Sequence, residues 1–192
     1  MQNRGTEGTV YPYEGTSPSL GRNVFVAPGA VVIGDVTVGD DSSIWFNCTV
    51  RGDVHTIRIG RETNIQDNSM LHVTHDTHPL VIGDRVTCGH SVKLHGCTIG
   101  EETLIGIGAI VLDGAVVEPG SMIAAGALVT PGMVVPAGMI VAGVPARVLR
   151  PLTTAERDDL AASAARYVAY AAKMRRSLAT APATARESPL DE

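Results

Sequence analysis

The chain is 192 residues long, enough for one domain with an appendage, and carries a formal net charge of −5. Its acidic and basic residues are scattered, so no basic face invites nucleic acid or an anionic membrane surface, and no apolar run is long enough to span a bilayer. The 21 glycines and an aromatic content of only 4% suit narrow repeated coils whose corners admit only small residues.

Residues 1–22 read as an irregular lead-in, punctuated by Pro12, Gly15, Pro18 and Gly21. The opening run, MQNRGTEGTVYPYEG, has no continuous apolar core and is unlike a secretory signal; with the cysteine usage this predicts a cytoplasmic protein. From 23 to 150 a six-residue rhythm of inward side chains takes over. It runs through Val26, Val32, Val38, Ile44 and Val50, then Ile59, Ile65 and Leu71, then Ile82, Cys88 and Leu94. From Ile99 it continues without a slip through Ile105, Val111, Val117, Ile123, Val129, Val135 and Val141. A period of six fits neither an amphipathic helix nor an alternating strand; it is the hexapeptide signature of a parallel β-helix, an all-β fold. Apart from a one-residue contraction between Leu94 and Ile99, two insertions break it, between Val50 and Ile59 and between Leu71 and Ile82, and both must bulge at a corner because the coil cross-section is fixed.

The run AGVPARVLRPLT closes the array, and 151–178 is predicted to form a C-terminal helix starting at about Thr154 as N-cap. Its stripe Leu160, Ala164, Tyr167, Ala171, Met174 and Leu178 is set to pack along the solenoid or a neighbouring subunit. Residues 179–192 are predicted to be a disordered tail.

Three hexads make one triangular coil. With each insertion confined to its corner, Val50, Leu71 and Leu94 share a face in successive coils, so the residues after them, Arg51, His72 and His95, form a column. On the preceding face Ile44, Ile65 and Cys88 are followed by Trp45, Gln66 and Gly89, with Asp67 and His90 one place further on. Coils stack at roughly the 4.8 Å spacing of neighbouring strands, so His72 and His95 can share one metal ion. His90 lies nearly one side of the triangle away and is better placed to complete the set from a neighbouring chain. Repeated around a threefold axis, that contact predicts a homotrimer with three interfacial sites. Three neutral imidazoles with an open fourth position suit catalytic Zn2+, and Fe2+ or Co2+ are compatible. Cys97 lies near enough to be weighed as a ligand, against the plainer reading of Cys48, Cys88 and Cys97 as buried thiols. His55, His75 and His78 fall in the insertions and are predicted to face solvent.

The runs IGDVTVGDDSSIWFNCTVRGDV, IGRETNIQDNSMLHV and IGDRVTCGHSVKLHGCTIG, with LIGIGAIVLDGA and AGVPARVLR, resemble the γ-class carbonic anhydrase family, particularly its short bacterial members. The resemblance covers nearly all of 24–150. It implies a left-handed β-helix with a C-terminal helix, assembled as a trimer, and the hand rests on the resemblance alone. It implies His72, His90 and His95 as metal ligands, with His90 coming across the subunit boundary. It further implies that Arg51 and Asp53 serve the interface and site geometry, with Arg51 orienting bicarbonate and Asp67 holding Arg51. Gln66 looks like the residue that hydrogen-bonds the metal's water, and Tyr167 resembles a tyrosine brought from the helix towards the site. The implied reaction is reversible hydration of carbon dioxide to bicarbonate. Two departures stand out: Val54 replaces an expected glutamate, and VTHDTHP lacks an acidic shuttle loop, leaving His75 and His78 as substitutes.

Three rival readings share the fold. A hexapeptide-repeat acyltransferase needs a lone general-base histidine, which the stacked pair does not resemble. A non-enzymatic or catalytically weak metal-binding trimer accords with the missing glutamates. A CoA-thioester hydrolase is the third.

Overall fold

The computed structural model describes residues 8–180. They form a parallel β-solenoid of about seven turns followed by a single helix. The predicted hexads become three vertical columns. On one face Val26, Ile44, Ile65, Cys88, Ile105, Ile123 and Val141 stand in unbroken parallel register. On the next, Val32, Val50, Leu71, Leu94, Val111 and Val129 do the same. The third carries Val38, Ile59, Ile82, Ile99, Val117 and Val135. All three columns are buried and fill the prism. Each such side chain contributes about 1.5–3 kcal/mol of apolar burial, which is what fixes the register.

The insertions sit where a corner must absorb them. The strand Thr49–Ile59 runs through its corner, and its register against Val31–Val38 jumps between Gly34↔Gly52 and Val36↔Ile57. The second insertion folds into a small turn closed by an antiparallel bridge between Thr74 and His78.

Two expectations are corrected at the ends. The lead-in is not irregular over its described part: Thr9–Tyr11 and Ser19–Leu20 each pair in parallel with Val31–Val38 and add a rung. Val10 and Leu20 take the column positions, but ten residues separate them and both are exposed, so no hexad marks the rung. The helix α1 spans Thr154–Thr180, and its N-cap is Thr153, one residue earlier than expected. Thr153 Oγ1 accepts from the Glu156 amide at 3.2 Å while Glu156 Oε2 accepts from the Thr153 amide at 2.8 Å, a reciprocal capping box. The predicted tail from 181 onward lies outside the described residues; Ala179 and Thr180 are helical.

After the closing hairpin, Met139–Gly143 against Ala146–Pro151, α1 returns along the solenoid face built by Phe25–Val26, Ser43–Ile44, Asn64–Ile65 and Thr87–Cys88. The predicted stripe is the packing face: Leu160, Ala164 and Ala171 are buried, and Tyr167, Met174 and Leu178 pack with Phe25 and Trp45. No described helix is long and apolar enough to cross a membrane.

Candidate metal centre

The side chains singled out in the sequence fall on two edges of the prism. Arg51, Asp53, His72 and His95 gather at the edge carrying both insertions. His90, Asp67 and Tyr167 line one cavity at the edge beside α1. Among the described residues of a single chain, no three metal-ligating side chains converge on one point.

At the first edge His72 and His95 are paired in register. His72 Nε2 lies 2.9 Å from Asp53 Oδ1, and His95 Nδ1 lies 2.6 Å from Asp113 Oδ1. A carboxylate accepts from an imidazole N–H, so with both rings neutral the lone pairs left over are on His72 Nδ1 and His95 Nε2. Those two atoms face each other across 3.1 Å. Two lone pairs so placed repel unless a proton or a metal ion lies between them. Two nitrogens held at 2.0–2.1 Å by tetrahedral zinc stand about 3.3 Å apart, so the pair is close to the spacing a metal demands. Each ring is also held by a carboxylate on its far nitrogen, the arrangement that orients histidine ligands and raises their basicity.

The bulge is what lets Asp53 turn towards His72. Gly34, at φ +75°, and Gly52 bring two backbones together there: a Cβ on Gly34 would stand 2.3 Å from Gly52 O, and one on Gly52 2.7 Å from Asp35 O. Asp53 also pairs with Arg51. Burial works to raise the Asp53 pKa, but the hydrogen bonds from His72 and Arg51 outweigh it and hold the carboxyl below its ordinary range. Asp113 behaves alike: burial opposes ionisation, and hydrogen bonds from His95 and from Thr74 Oγ1, at 2.7 Å, reverse the sign.

At the second edge His90 Nδ1 lies 3.0 Å from Asp67 Oδ2, which leaves Nε2 as the lone-pair atom. The ring follows the strand Thr87–Cys88 and precedes Ser91, which holds a left-handed φ of 60° and turns the chain at the corner. His90 is half exposed. Tyr167 meets Trp45 edge-to-face at 5.7 Å, and burial, with the Asp67 carboxylate near, pushes its phenol above the ordinary range. Gln66 is buried, its Nε2 donating to Asn64 Oδ1 at 3.1 Å.

Several expectations meet the geometry differently. Within one chain Arg51 pairs with Asp53 and Asp67 with His90, so an Arg51–Asp67 pair requires a second copy. His75 is exposed beside Asp76, but His55 and His78 are half-buried, His78 because its insertion turn folds back onto Gly96 and Gly114. Burial raises the Cys48 thiol to about 11 and the Cys97 thiol to about 12, so neither is a thiolate at neutral pH. Asp113 and Thr74 were missed. Asp113 lies eighteen residues after His95, and the stacking rule points there, but the one-residue contraction between Leu94 and Ile99 moves it off the strict register.

The hexapeptide model described as "Bacterial transferase hexapeptide (six repeats)" matches residues 17–52 and 96–131. The chain is 49% identical to the carbonic anhydrase of Geobacillus kaustophilus over 75% of its own length and 79% of that protein. It is 48% identical to the mitochondrial gamma carbonic anhydrase 1 of Arabidopsis thaliana, over 79% of its own length and 57% of that one. Among solved structures, a hexapeptide transferase family protein from Anaplasma phagocytophilum superposes with a TM-score of 0.83 at 45% identity, covering 86% of this chain and 97% of that one. Two-edge histidines on a hexapeptide solenoid, together with identities near one half to proteins named carbonic anhydrase, place this chain in the γ-class carbonic anhydrase family of hexapeptide-repeat proteins.

Proposed function

We propose that the protein is a metal-dependent carbonic anhydrase of the γ type, active as a homotrimer. The observation that supports this best is the division of the histidines. His72 Nδ1 and His95 Nε2 face each other at 3.1 Å on one edge. His90, its Nδ1 tied to Asp67, offers its other nitrogen on a different edge. A copy of the chain placed edge to edge supplies the third ligand, and cyclic closure repeats the site three times.

His72, His95 and a neighbour's His90 would hold Zn2+, with Fe2+ or Co2+ also accepted by imidazole. When bound, zinc lowers the pKa of its water to about 7, the figure known from zinc carbonic anhydrases, and so supplies hydroxide at neutral pH. The chain's own groups do the rest. Asp53, Asp113 and Asp67 lock the three rings. Arg51, held by Asp53, is the cation available to the bicarbonate anion, and Gln66, buried with its amide on Asn64, is the residue that the family resemblance assigns to orienting the nucleophile. Tyr167 borders the same space from α1. Carbon dioxide and bicarbonate are thus the substrate pair.

One observation favours a second reading, a metal-binding trimer of low activity. Val54, where family members of known pattern carry a glutamate, packs against the aliphatic core instead of offering a carboxylate.

Stopped-flow hydration of carbon dioxide, on protein of measured metal content and beside His95→Ala, separates the two. Catalysis that disappears in the variant supports the carbonic anhydrase reading. Metal at about one ion per chain without catalysis supports the second. Failure to bind metal after reconstitution refutes the site.

A further inference from the structure

Under α1 the first face of the solenoid carries a polar column. Ser43, Asn64 and Thr87 stand in register there, one residue ahead of the inward Ile44, Ile65 and Cys88. Side chains alternate across a strand, so these three point out of the prism. α1 covers them, and all three are buried. Ser163 meets them from the helix, itself buried in a packing stripe otherwise made of Leu160, Ala164 and Ala171. Serine forms helix less well than alanine, and burying its hydroxyl unpaired is costly, so its partner on the solenoid matters.

These groups form one directed row. Thr87 Oγ1 donates to Ser163 Oγ at 3.2 Å and accepts from Asn64 Nδ2 at 3.0 Å. Asn64 Nδ2 also reaches Val86 O at 3.4 Å, and a carbonyl oxygen can only accept. Two acceptors thus fix the nitrogen end of the Asn64 amide. Its Oδ1 is turned to Gln66, whose Nε2 donates to it at 3.1 Å. Gln66 Oε1 accepts no hydrogen bond among the described residues, although Gln66 is only 5% exposed. A buried acceptor in that state calls for a donor from beyond the row. The row has a reversed alternative, because a hydroxyl can donate or accept. A Thr87 proton turned onto Asn64 would flip both amides and leave Gln66 Nε2 as the free end. Val86 O opposes that reversal, and Ser163, by taking the Thr87 proton, keeps the Thr87 lone pair on Asn64.

We propose that Thr87 and Ser163 are positioning residues that act through Asn64 to hold the Gln66 amide with its oxygen as the free end. The row lies within one chain; only its bearing on turnover rests on the function proposed above, in which Gln66 orients the nucleophile. With Oε1 free, Gln66 accepts from a group that carries a proton and disfavours an oxygen that carries none. The helix outside the prism thereby sets which end of an amide the centre meets.

The side-chain amide proton signals of Asn64 and Gln66, in isotope-labelled and metal-loaded protein, report on the row directly. Asn64→Asp and Gln66→Glu identify them by deleting them. Thr87→Val keeps the side-chain shape and removes the hydroxyl; it is expected to shift both signals and speed their exchange with water. Thr87→Ser restores the hydroxyl and is expected to return them. Ser163→Ala is expected to shift them in the same sense by less, and alanine suits the helix there, so this variant keeps the test open should Thr87→Val not fold. In stopped-flow hydration of carbon dioxide, Thr87→Val is expected to lower kcat about two- to ten-fold, the worth of one hydrogen bond, with KM nearly unchanged. Thr87→Ser is expected to recover the rate. Bound metal and circular dichroism should match the wild type, since Thr87 and Ser163 lie outside the aliphatic columns. The proposal is overturned if the Gln66 signals stay in place when either hydroxyl is removed, or if Thr87→Ser moves them as far as Thr87→Val. It is equally overturned if they move while the kcat of an active enzyme does not. Signals that respond as expected in a protein that never hydrates carbon dioxide would uphold the row and sink the carbonic anhydrase reading, so the two fail separately.

Discussion

Asp113 is the most exacting test of the metal centre, because it touches the site only through another side chain. Its Oδ1 accepts from His95 Nδ1 at 2.6 Å and its Oδ2 from Thr74 Oγ1 at 2.7 Å. Removing the carboxylate frees the His95 ring to rotate and to exchange tautomers, and withdraws the negative charge that makes Nε2 a better donor. Loss of such an outer carboxylate weakens metal binding 10–100-fold, or about 1.4–2.7 kcal/mol. Asp113→Ala should therefore reduce zinc affinity within that range, measured by competition with a calibrated chelator. Asp113→Asn keeps an acceptor for the Nδ1 proton but not the charge, and should fall near the lower limit. Both should melt within a few degrees of the wild type without metal, since the pair lies outside the aliphatic columns. Unchanged zinc affinity in Asp113→Ala would show that His95 is oriented by something else, and the tautomer assignment would fall with it.

Other outcomes follow from the scaffold. Gly34→Ala should destabilise by more than about 2 kcal/mol in urea unfolding, because left-handed backbone costs an L-residue about 1–2 kcal/mol and the new Cβ meets Gly52 O. Conversely Glu102→Gly, at φ 53° in a corner that later coils fill with Gly120 and Gly138, should recover part of that strain, although it sacrifices an ion pair with Arg85; a midpoint clearly below wild type would refute the ordering. Thr153→Ala should cost about 1 kcal/mol and fray the start of α1, visible as faster amide exchange there. Hydrogen bonding to Arg150, then to Thr153, depresses the Glu156 carboxyl to about 2, so its contribution is complete above the ordinary carboxylate range and is lost as pH falls towards 2. Glu156→Gln should accordingly narrow its stability gap from wild type as the pH is lowered through that window, and a gap constant from pH 6 to 2 would contradict the capping role.

The parts that were legible in the sequence are those governed by burial. Each inward column is a chain of aliphatic side chains with nowhere else to go, so its register could be counted through both insertions and the separation of His90 from His72 and His95 read directly. The first rung escaped because Val10 and Leu20 are half-solvated end residues, ten apart, and no burial enforces a period on them. Thr153 and Thr154 are chemically equivalent candidates, and only the return bond from Glu156 distinguishes them. The carboxylate partners were hidden for a different reason. Asp53 reaches His72 across a bulge, and Asp113 reaches His95 diagonally past a contraction, so both contacts depend on side-chain reach at places where the repeat fails.

Those failures of the repeat are also where the chemistry lies. A regular solenoid presents the same three faces in every coil and has no reason to bring unlike groups together. The insertions at one edge create the exception, bringing Asp53 onto His72 and Thr74 onto Asp113, the carboxylate that holds His95, around a histidine pair that regular stacking alone had placed. The other edge stays regular, and α1 lies against it, so His90 is delivered on an unmodified corner with Asp67 below it. Each chain thus carries two unequal halves of one proposed site, and neither half holds three ligands. Metal affinity and assembly must then be linked: a metal that binds only across the contact stabilises that contact by mass action, and dissociation of the chains releases it.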